Sequence, residues 1–414
     1  MPVLLTLNEV QGQPVDTFSF EILMQKVGKI TSEILKTSPM LVANTSSGAV
    51  SKEHLEREII KTMDLLKLNQ GIKRDELIES VFNNMFGYGP LQYLIDDESI
   101  SDIDGTKFNE FSILRNGSPE RVDINFGSEE SFNRFCHLIA VRNYGILNEN
   151  DPHCRICDDK NRLRINITIP PRNVMGSCIN IRKHRRDSYT LKQLEEAGML
   201  LPDCAVFLKE CARSGVNIVF GGHGGSGKTT LLRALINSKP EMERLLICES
   251  DSEIFPDKPF CIVQRIKRSN EGGRIYTLGD LIKDGLTMRV ETYVIGESVS
   301  SEAWEGLKAA HSGHGFLTTT HSMSGAECLE RLVLLSNSGE NSEREETICE
   351  VAGKAVDLVV YLRKFRVVEV LEVIGFNAKE KEFEFERLGK NGVFAPRETG
   401  RIHDKFQRAF THQV

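Results

Sequence analysis

No stretch of this chain approaches the ~18 consecutive apolar residues that a membrane-spanning helix requires. Its opening, MPVLLTLNEVQGQ, also lacks the basic region and long apolar run of a secretory leader. The expectation is a protein that stays where it is made, in the cytoplasm. Excess positive charge is missing as well. The formal net charge is -7, which removes the electrostatic reason for strong non-specific nucleic-acid binding. There is one tryptophan in 414 residues, so a strand-binding channel of stacked aromatics has little to draw on. The ten cysteines form no regular framework, and in a chain this long they read as reduced thiols.

What is present is an ordinary globular composition, 40% hydrophobic and 27% charged. At roughly 150 residues per domain, the length calls for two domains and a tail. Residues 1–48 show no sustained period and read as a loosely ordered start with one helix around 18–36. From Lys52 the apolar residues Leu55, Ile59, Met63 and Leu66 recur at helical spacing, and Leu77, Val81 and Met85 repeat the pattern until Gly87 stops it. Residues 49–86 are therefore a small helical bundle extension. FSILRNGSPERVDINF sets two strand-like runs around Asn116-Gly117, a hairpin signal. LRINITIPP and CINIRKH add further strands, and 87–186 reads as an α+β domain.

From 187 to 414 the texture changes to short apolar strands alternating with helices: VNIVF, a helix from Lys228, LLICE, CIVQRI, a helix near 277–287, TYVIG, a helix near 301–311, then FLTTTH. That alternation predicts a parallel sheet wrapped by helices. DLVVYLRKF and VVEVLEVIGF extend the sheet as a meander, and the polar end RETGRIHDKFQRAFTHQV forms a surface helix.

Gly222-His223-Gly224-Gly225-Ser226-Gly227-Lys228-Thr229 fits G-x-x-x-x-G-K-[ST] in full. The fold class expected is α/β, a RecA-like P-loop NTPase domain preceded by an α+β domain with a helical extension. Gly222, Gly224, Gly225, Ser226, Gly227, Lys228, Thr229 and Thr230 are the binding candidates for ATP. Backbone N–H groups converge on phosphate oxygens, Lys228 reaches the β and γ phosphates, and Thr229 offers its hydroxyl to Mg. Hydrolysis also needs an acid at a neighbouring strand end. TYVIGES supplies Glu297, a candidate for catalysis and for the Mg shell, directly or through water. ICESDSEIF clusters Glu249, Asp251 and Glu253, read either as a solvated acidic turn or as a second carboxylate set beside the metal.

These motifs resemble, in order, the four marks of the secretion and pilus traffic ATPases, the type II/IV secretion ATPases, most closely their CpaF/TadA-like branch. GGHGGSGKTT matches the Walker A loop, CESDSEIF the Asp box, YVIGES the Walker B strand and HSGHGFLTTTH the His box. The phrases FGYGPLQYLIDD, RLRINITIPP and INIRKH are similar to those preceding the family's motor domain, so the resemblance runs from about 52 to 375. It implies that Glu297 is the Walker B glutamate, that Glu249 and Glu253 are the Asp-box acids, and that His314 and His321 are the His-box residues sensing the γ-phosphate. It also implies that Arg164 and Arg182 supply positive charge to the nucleotide phosphates, and that Arg289 supports the nucleotide or a subunit contact. The sequence departs from the family in three places. Ser250 follows Glu249 where an Asp is usual, Ser298 and Val299 replace Val-Arg, and RVE replaces RPD.

The implied function is an ATP-hydrolysing motor, a homo-oligomer in the form of a hexameric ring. It acts at the inner face of the cell membrane on a pilus assembly or secretion machine and meets an integral membrane platform. Three other classes compete: an ATP-binding scaffold that hydrolyses weakly, a RecA-like nucleic-acid translocase, and a small-molecule kinase. The acidic balance and the scarcity of aromatics disfavour the translocase.

Overall fold

The computed structural model describes residues 17–411, apart from 47, 69, 269–270, 272 and 339–342. The chain divides into two compact units, Met1–His184 and Arg185–Val414.

The first unit begins with four helices, α1 (Thr17–Thr37), α2 (Pro39–Ser46), α3 (Lys52–Leu65) and α4 (Arg74–Phe86). Val27, Ile30 and Ile34 of α1 lie three and four residues apart, which sets them on one face. They pack against Leu55, Ile59 and Met63 of α3 and Leu77, Val81 and Met85 of α4. The helix expected around 18–36 is α1, and α2 follows it in the stretch that reads as loosely ordered. Residues 1–16 lie outside the described residues.

After α5 (Gln92–Asp96) come β1 (Ile100–Lys107), β2 (Glu110–Arg115), β3 (Ser118–Val122), α6 (Glu129–Arg142), β4 (His153–Asp158), β5 (Leu163–Thr168) and β6 (Cys178–Lys183). The strands form an antiparallel sheet of order β3-β2-β1-β6-β5-β4. Asn116 and Gly117 make the β2–β3 turn with φ of 48° and 80°, the left-handed pair a two-residue hairpin needs. One sheet face carries Ile103, Ile113, Ile156, Ile165 and Ile181 onto Phe132, Phe135 and Ile139 of α6. The alternate residues form the polar face. There Arg164 pairs in register with Arg182, and Arg182 with Asp102.

The second unit runs α7 (Leu191–Glu196), α8 (Pro202–Arg213), β7 (Ile218–Gly222), α9 (Lys228–Ser238), β8 (Leu245–Glu249), β9 (Cys261–Arg265), α10 (Leu278–Gly285), β10 (Thr292–Ile295), α11 (Glu302–His311), β11 (Gly315–Thr320), α12 (Glu327–Ser336), α13 (Glu345–Ala355), β12 (Leu358–Arg363), β13 (Arg366–Asn377), β14 (Glu382–Lys390), β15 (Val393–Phe394) and α14 (Arg401–Thr411). The sheet order is β15-β14-β13-β12-β7-β11-β10-β8-β9. The six strands from β12 to β9 run parallel, and β13 to β15 add an antiparallel meander.

Both faces of the parallel part are covered, which is why its strands are apolar without alternation. Ile218 and Phe220 of β7 join the core with Leu208, Leu231 and Ile402. Val219 between them faces the other core with Leu307, Leu329 and Ile348. Burying one such side chain contributes about 1.5–3 kcal/mol. The edge where the strands begin is tied by a polar node. Asn217 donates its backbone N–H to Asp357 Oδ2 (2.7 Å) and its side-chain amide to the Ala355 carbonyl (2.7 Å), and it accepts from the Phe316 N–H (2.8 Å). Asp357, 1% exposed, also pairs with Arg401 (2.9 Å) and Lys405 (2.5 Å) of α14.

Candidate nucleotide site

Strand β7 ends and α9 begins across the glycine-rich loop, so the loop sits at the edge where the parallel strands finish. Two glycines are dictated by geometry. Gly222 has φ 144°, and a Cβ there would run into the Leu362 carbonyl oxygen and lie 2.7 Å from Ser226 Oγ. Gly227 takes φ 98° at the N-cap of α9, where a Cβ would come within 2.5 Å of Met199 Cε. The first bond of α9 runs from the Leu231 N–H to the Gly227 carbonyl. The N–H groups of Lys228, Thr229 and Thr230 therefore have no partner within the helix and point from its positive end.

Lys228 is 7% exposed. Its ammonium donates to the carbonyls of Gly222 (2.8 Å) and His223 (3.0 Å). Burial lowers its pKa, while Glu297, Cys328 and Glu253 act in the opposite direction. Ser226 Oγ is buried with no protein partner. A loop with a buried lysine, an orphaned hydroxyl and open helix N–H groups fits the polyphosphate of a nucleotide.

Glu297 follows Gly296 at the end of β10. The residue after it is held from β11: the Ser298 N–H donates to the Thr319 carbonyl (2.9 Å), and Ser298 Oγ lies 2.9 Å from Thr318 Oγ1. Thr319 Oγ1 donates to the Gly296 carbonyl (2.8 Å). The Ser298 departure from the family phrase is thus a buried lock on the turn that presents Glu297. His321 Nε2 stands 2.7 Å from Glu297 Oε1, and a Cβ on Gly224 would lie 3.7 Å from His321 Cε1. The imidazole spans the glycine loop and the glutamate.

The acids of CESDSEIF separate. Glu249 is 2% exposed at the end of β8. Its Oε1 accepts from the N–H groups of Glu253 (3.0 Å) and Ile254 (2.7 Å). Burial pushes its carboxyl up to about 8, the two N–H bonds pull against that, Glu253 adds to it and Arg233 opposes it. Asp251 is buried and paired with Arg268 (2.8 Å). Glu253 is half-buried, and its charge is felt by Lys228.

His314 does not join this cluster. It precedes Gly315, whereas Thr320 at the other end of β11 pairs with Gly221 of the loop strand. Seven residue steps at about 3.3 Å each put roughly 23 Å between the two histidines. His314 Nδ1 instead lies 3.0 Å from the Val290 carbonyl, and the ring stands edge-on to Tyr293. Arg289, with φ 51° just ahead of β10, lies at that same far edge and does not meet the phosphate loop of its own unit. Arg164 and Arg182 belong to the first unit.

Sequence motifs gave no sign of what lies beneath the loop. Cys328 packs its sulfur under Gly221 and 3.1 Å from Ser322 Oγ. A glycine at 221 is what leaves room for it. Burial raises this thiol to about 12. The contact joins residues over 100 positions apart, which no local pattern encodes.

The parallel sheet, the loop and the acid at the end of β10, two strands over from β7, define a P-loop nucleotide hydrolase. Residues 149–360 match the family model described as Type II/IV secretion system protein. A putative conjugal transfer protein of Mycobacterium tuberculosis is 26% identical over 260 residues, 61% of this chain and 74% of that one. The type IV secretion system protein VirB11 of Bartonella quintana is 28% identical over 176 residues, 41% of this chain and 49% of that one. Among solved structures, the pilus retraction motor PilT with bound ADP is 18% identical with a TM-score of 0.49, covering 78% of this chain and 87% of that one. The chain belongs to the type II/IV secretion system protein family, and its nucleotide site makes it an ATPase of that family.

Proposed function

We propose that this ATPase is the motor of a pilus or type IV secretion machine, working as a ring of identical copies, a hexamer, against an integral membrane platform at the inner face of the cell membrane. The observation that carries it is the convergence of Lys228, Glu297 and His321 on the glycine loop. Family membership and the ordered motifs supply the load. Among the described residues no helix is long and apolar enough to cross a membrane, so in this reading the platform is a separate protein.

The loop N–H groups and Lys228 hold the β and γ phosphates and neutralise charge that develops on transfer. Thr229 and the water shell beside Glu297 would hold Mg, which would supply polarisation of the phosphoryl oxygens. Glu297 orients the attacking water and takes its proton. His321 stands beside the Glu297 carboxylate and where a γ-phosphate would be felt, so in this reading the presence of that phosphate is registered at the catalytic acid. Arg164 and Arg182 are assigned to phosphate recognition, and Arg289 to a contact between copies.

ATP turnover measured together with light-scattering mass tests this, for wild type, Lys228→Ala and Glu297→Gln, with and without DNA. Turnover in a ring-sized particle, lost in both variants and indifferent to DNA, is expected. Tight ATP binding without turnover in any oligomer would leave only a nucleotide-gated scaffold, and stimulation by DNA would favour the translocase.

A further inference from the structure

The carboxylate most deeply buried near the loop belongs to Glu249, and its geometry differs from that of an acid offered to a metal. Strands β8 and β10 pair in parallel with Cys248 opposite Ile295, so Glu249 lies beside Gly296. A Cβ on Gly296 would sit 3.3 Å from Glu249 Cγ and 3.5 Å from Oε1. The glycine of the Walker B phrase thus makes room for the Glu249 side chain. Oε1 is occupied by the N–H groups of Glu253 and Ile254. Oε2 is buried and has no protein partner. A carboxylate offered to a hydrated Mg ion needs an oxygen facing the polar cleft. At 2% exposure, Glu249 presents none. Glu253, four residues on, is half-buried and lies within the field of the Lys228 ammonium.

Building on the ATPase reading, we propose that Glu249 is a positioning residue rather than a metal ligand: its Oε1 closes the 249–254 turn by holding the N–H groups of Glu253 and Ile254, and this fixes the Glu253 carboxylate toward the phosphate site. Two hydrogen bonds from one acceptor set the turn, and Gly296 supplies the space for that acceptor. The role needs an oxygen acceptor and no negative charge. An amide oxygen meets it, and its NH2 takes the place of Oε2, where a neutral acid would carry its proton.

The test is steady-state ATP turnover and Mg2+ titration of the full chain for wild type, Glu249→Gln, Glu249→Ala, Glu253→Gln and the Glu249→Ala/Glu253→Gln pair, with thermal unfolding of each. The expected result is that Glu249→Ala lowers kcat about tenfold or more with little change in KM. Glu249→Gln restores kcat to within about threefold of wild type at an unchanged Mg2+ half-saturation. The double variant is no worse than Glu253→Gln alone, because both changes break one chain of action. A Glu249→Gln variant as impaired as Glu249→Ala, or one with a shifted Mg2+ half-saturation, would overturn the assignment, as would losses that multiply in the double variant. Should Glu249→Ala fail to fold, the Glu249→Gln titration still decides. Absence of wild-type turnover would count against the ATPase reading instead. The Mg2+ dependence of binding a fluorescent ATP analogue to wild type and Glu249→Gln then decides the role of Glu249.

Discussion

His321 and Glu297 touch, at 2.7 Å between Nε2 and Oε1, while His314 of the same histidine-rich phrase sits at the far end of β11. This separation yields an internal control. Glu297→Gln removes the carboxylate proposed to take the water's proton and is expected to lower turnover by about 10² to 10⁴. His321→Ala is expected to lower kcat as well, while His314→Ala leaves kcat within about twofold. Parallel kinetics on the three variants check this, and a His314→Ala loss equal to that of His321→Ala would contradict the geometry.

Lys228 already bonds two loop carbonyls, so its removal costs the loop its internal brace as well as the proposed phosphate contact. Lys228→Ala is expected to abolish detectable turnover and weaken nucleotide affinity by tenfold or more, about 1.4 kcal/mol or above. Calorimetric titration with a slowly hydrolysed ATP analogue reads the second effect apart from the first.

Gly222→Ala adds a Cβ that meets the Leu362 carbonyl oxygen and Ser226 Oγ at a φ of 144°. Backbone strain and the clash together are expected to cost about 1–3 kcal/mol. Denaturant unfolding should show a lower midpoint than for Gly225→Ala, where the added atom finds open space and only the φ of 71° is penalised.

Much of this site is legible in the sequence, for a physical reason. The loop, Glu297 and His321 each follow on a short buried strand, and parallel strands deliver their ends to one edge. What stayed hidden depended on strand length or on cross-strand neighbours. His314 and His321 look equivalent in HSGHGFLTTTH until a six-residue strand is placed between them. Glu249 reads either as an acid of a solvated turn or as a carboxylate beside the metal until Gly296 is seen to make room for its buried side chain. Ser250 breaks the usual acid pair, yet the buried acid one position on, Asp251, is engaged by Arg268. On the fold side, α6 went unplaced within the α+β reading of 87–186 although Phe132, Phe135 and Ile139 repeat at helical spacing.

Glu249 also makes stability depend on pH. Its carboxyl is raised from an ordinary value near 4.5 to about 8, so the folded state binds a proton that the unfolded chain gives up. The stabilising contribution is fully present below about 4.5 and is lost as pH rises through about 8, a change on the order of a few kcal/mol. Relative to Glu249→Gln, wild type is expected to lose stability between pH 5 and 8. Urea midpoints across that range measure it, and parallel curves would remove the burial argument.

Asp357 binds Arg401, Lys405 and the Asn217 N–H from a site 1% exposed to solvent. Asp357→Ala leaves the Asn217 N–H without its acceptor and removes the counter-charge of Arg401 and Lys405, which keep their carbonyl partners, and the expected loss is about 1–3 kcal/mol. Because α14 hangs on this node, limited proteolysis should release the C-terminal residues of the variant before the rest of the unit is cut.

Beneath the loop, the Cys328 sulfur is sealed between Gly221 and Ser322, and its thiol is raised to about 12. Thiol reagents attack thiolates, so this sulfur is silent for as long as the roof above it stays shut. Alkylation therefore requires β7 to part from α12, so its rate is a clock for that opening, and a nucleotide bound at the end of β7 should slow the clock without touching the sulfur.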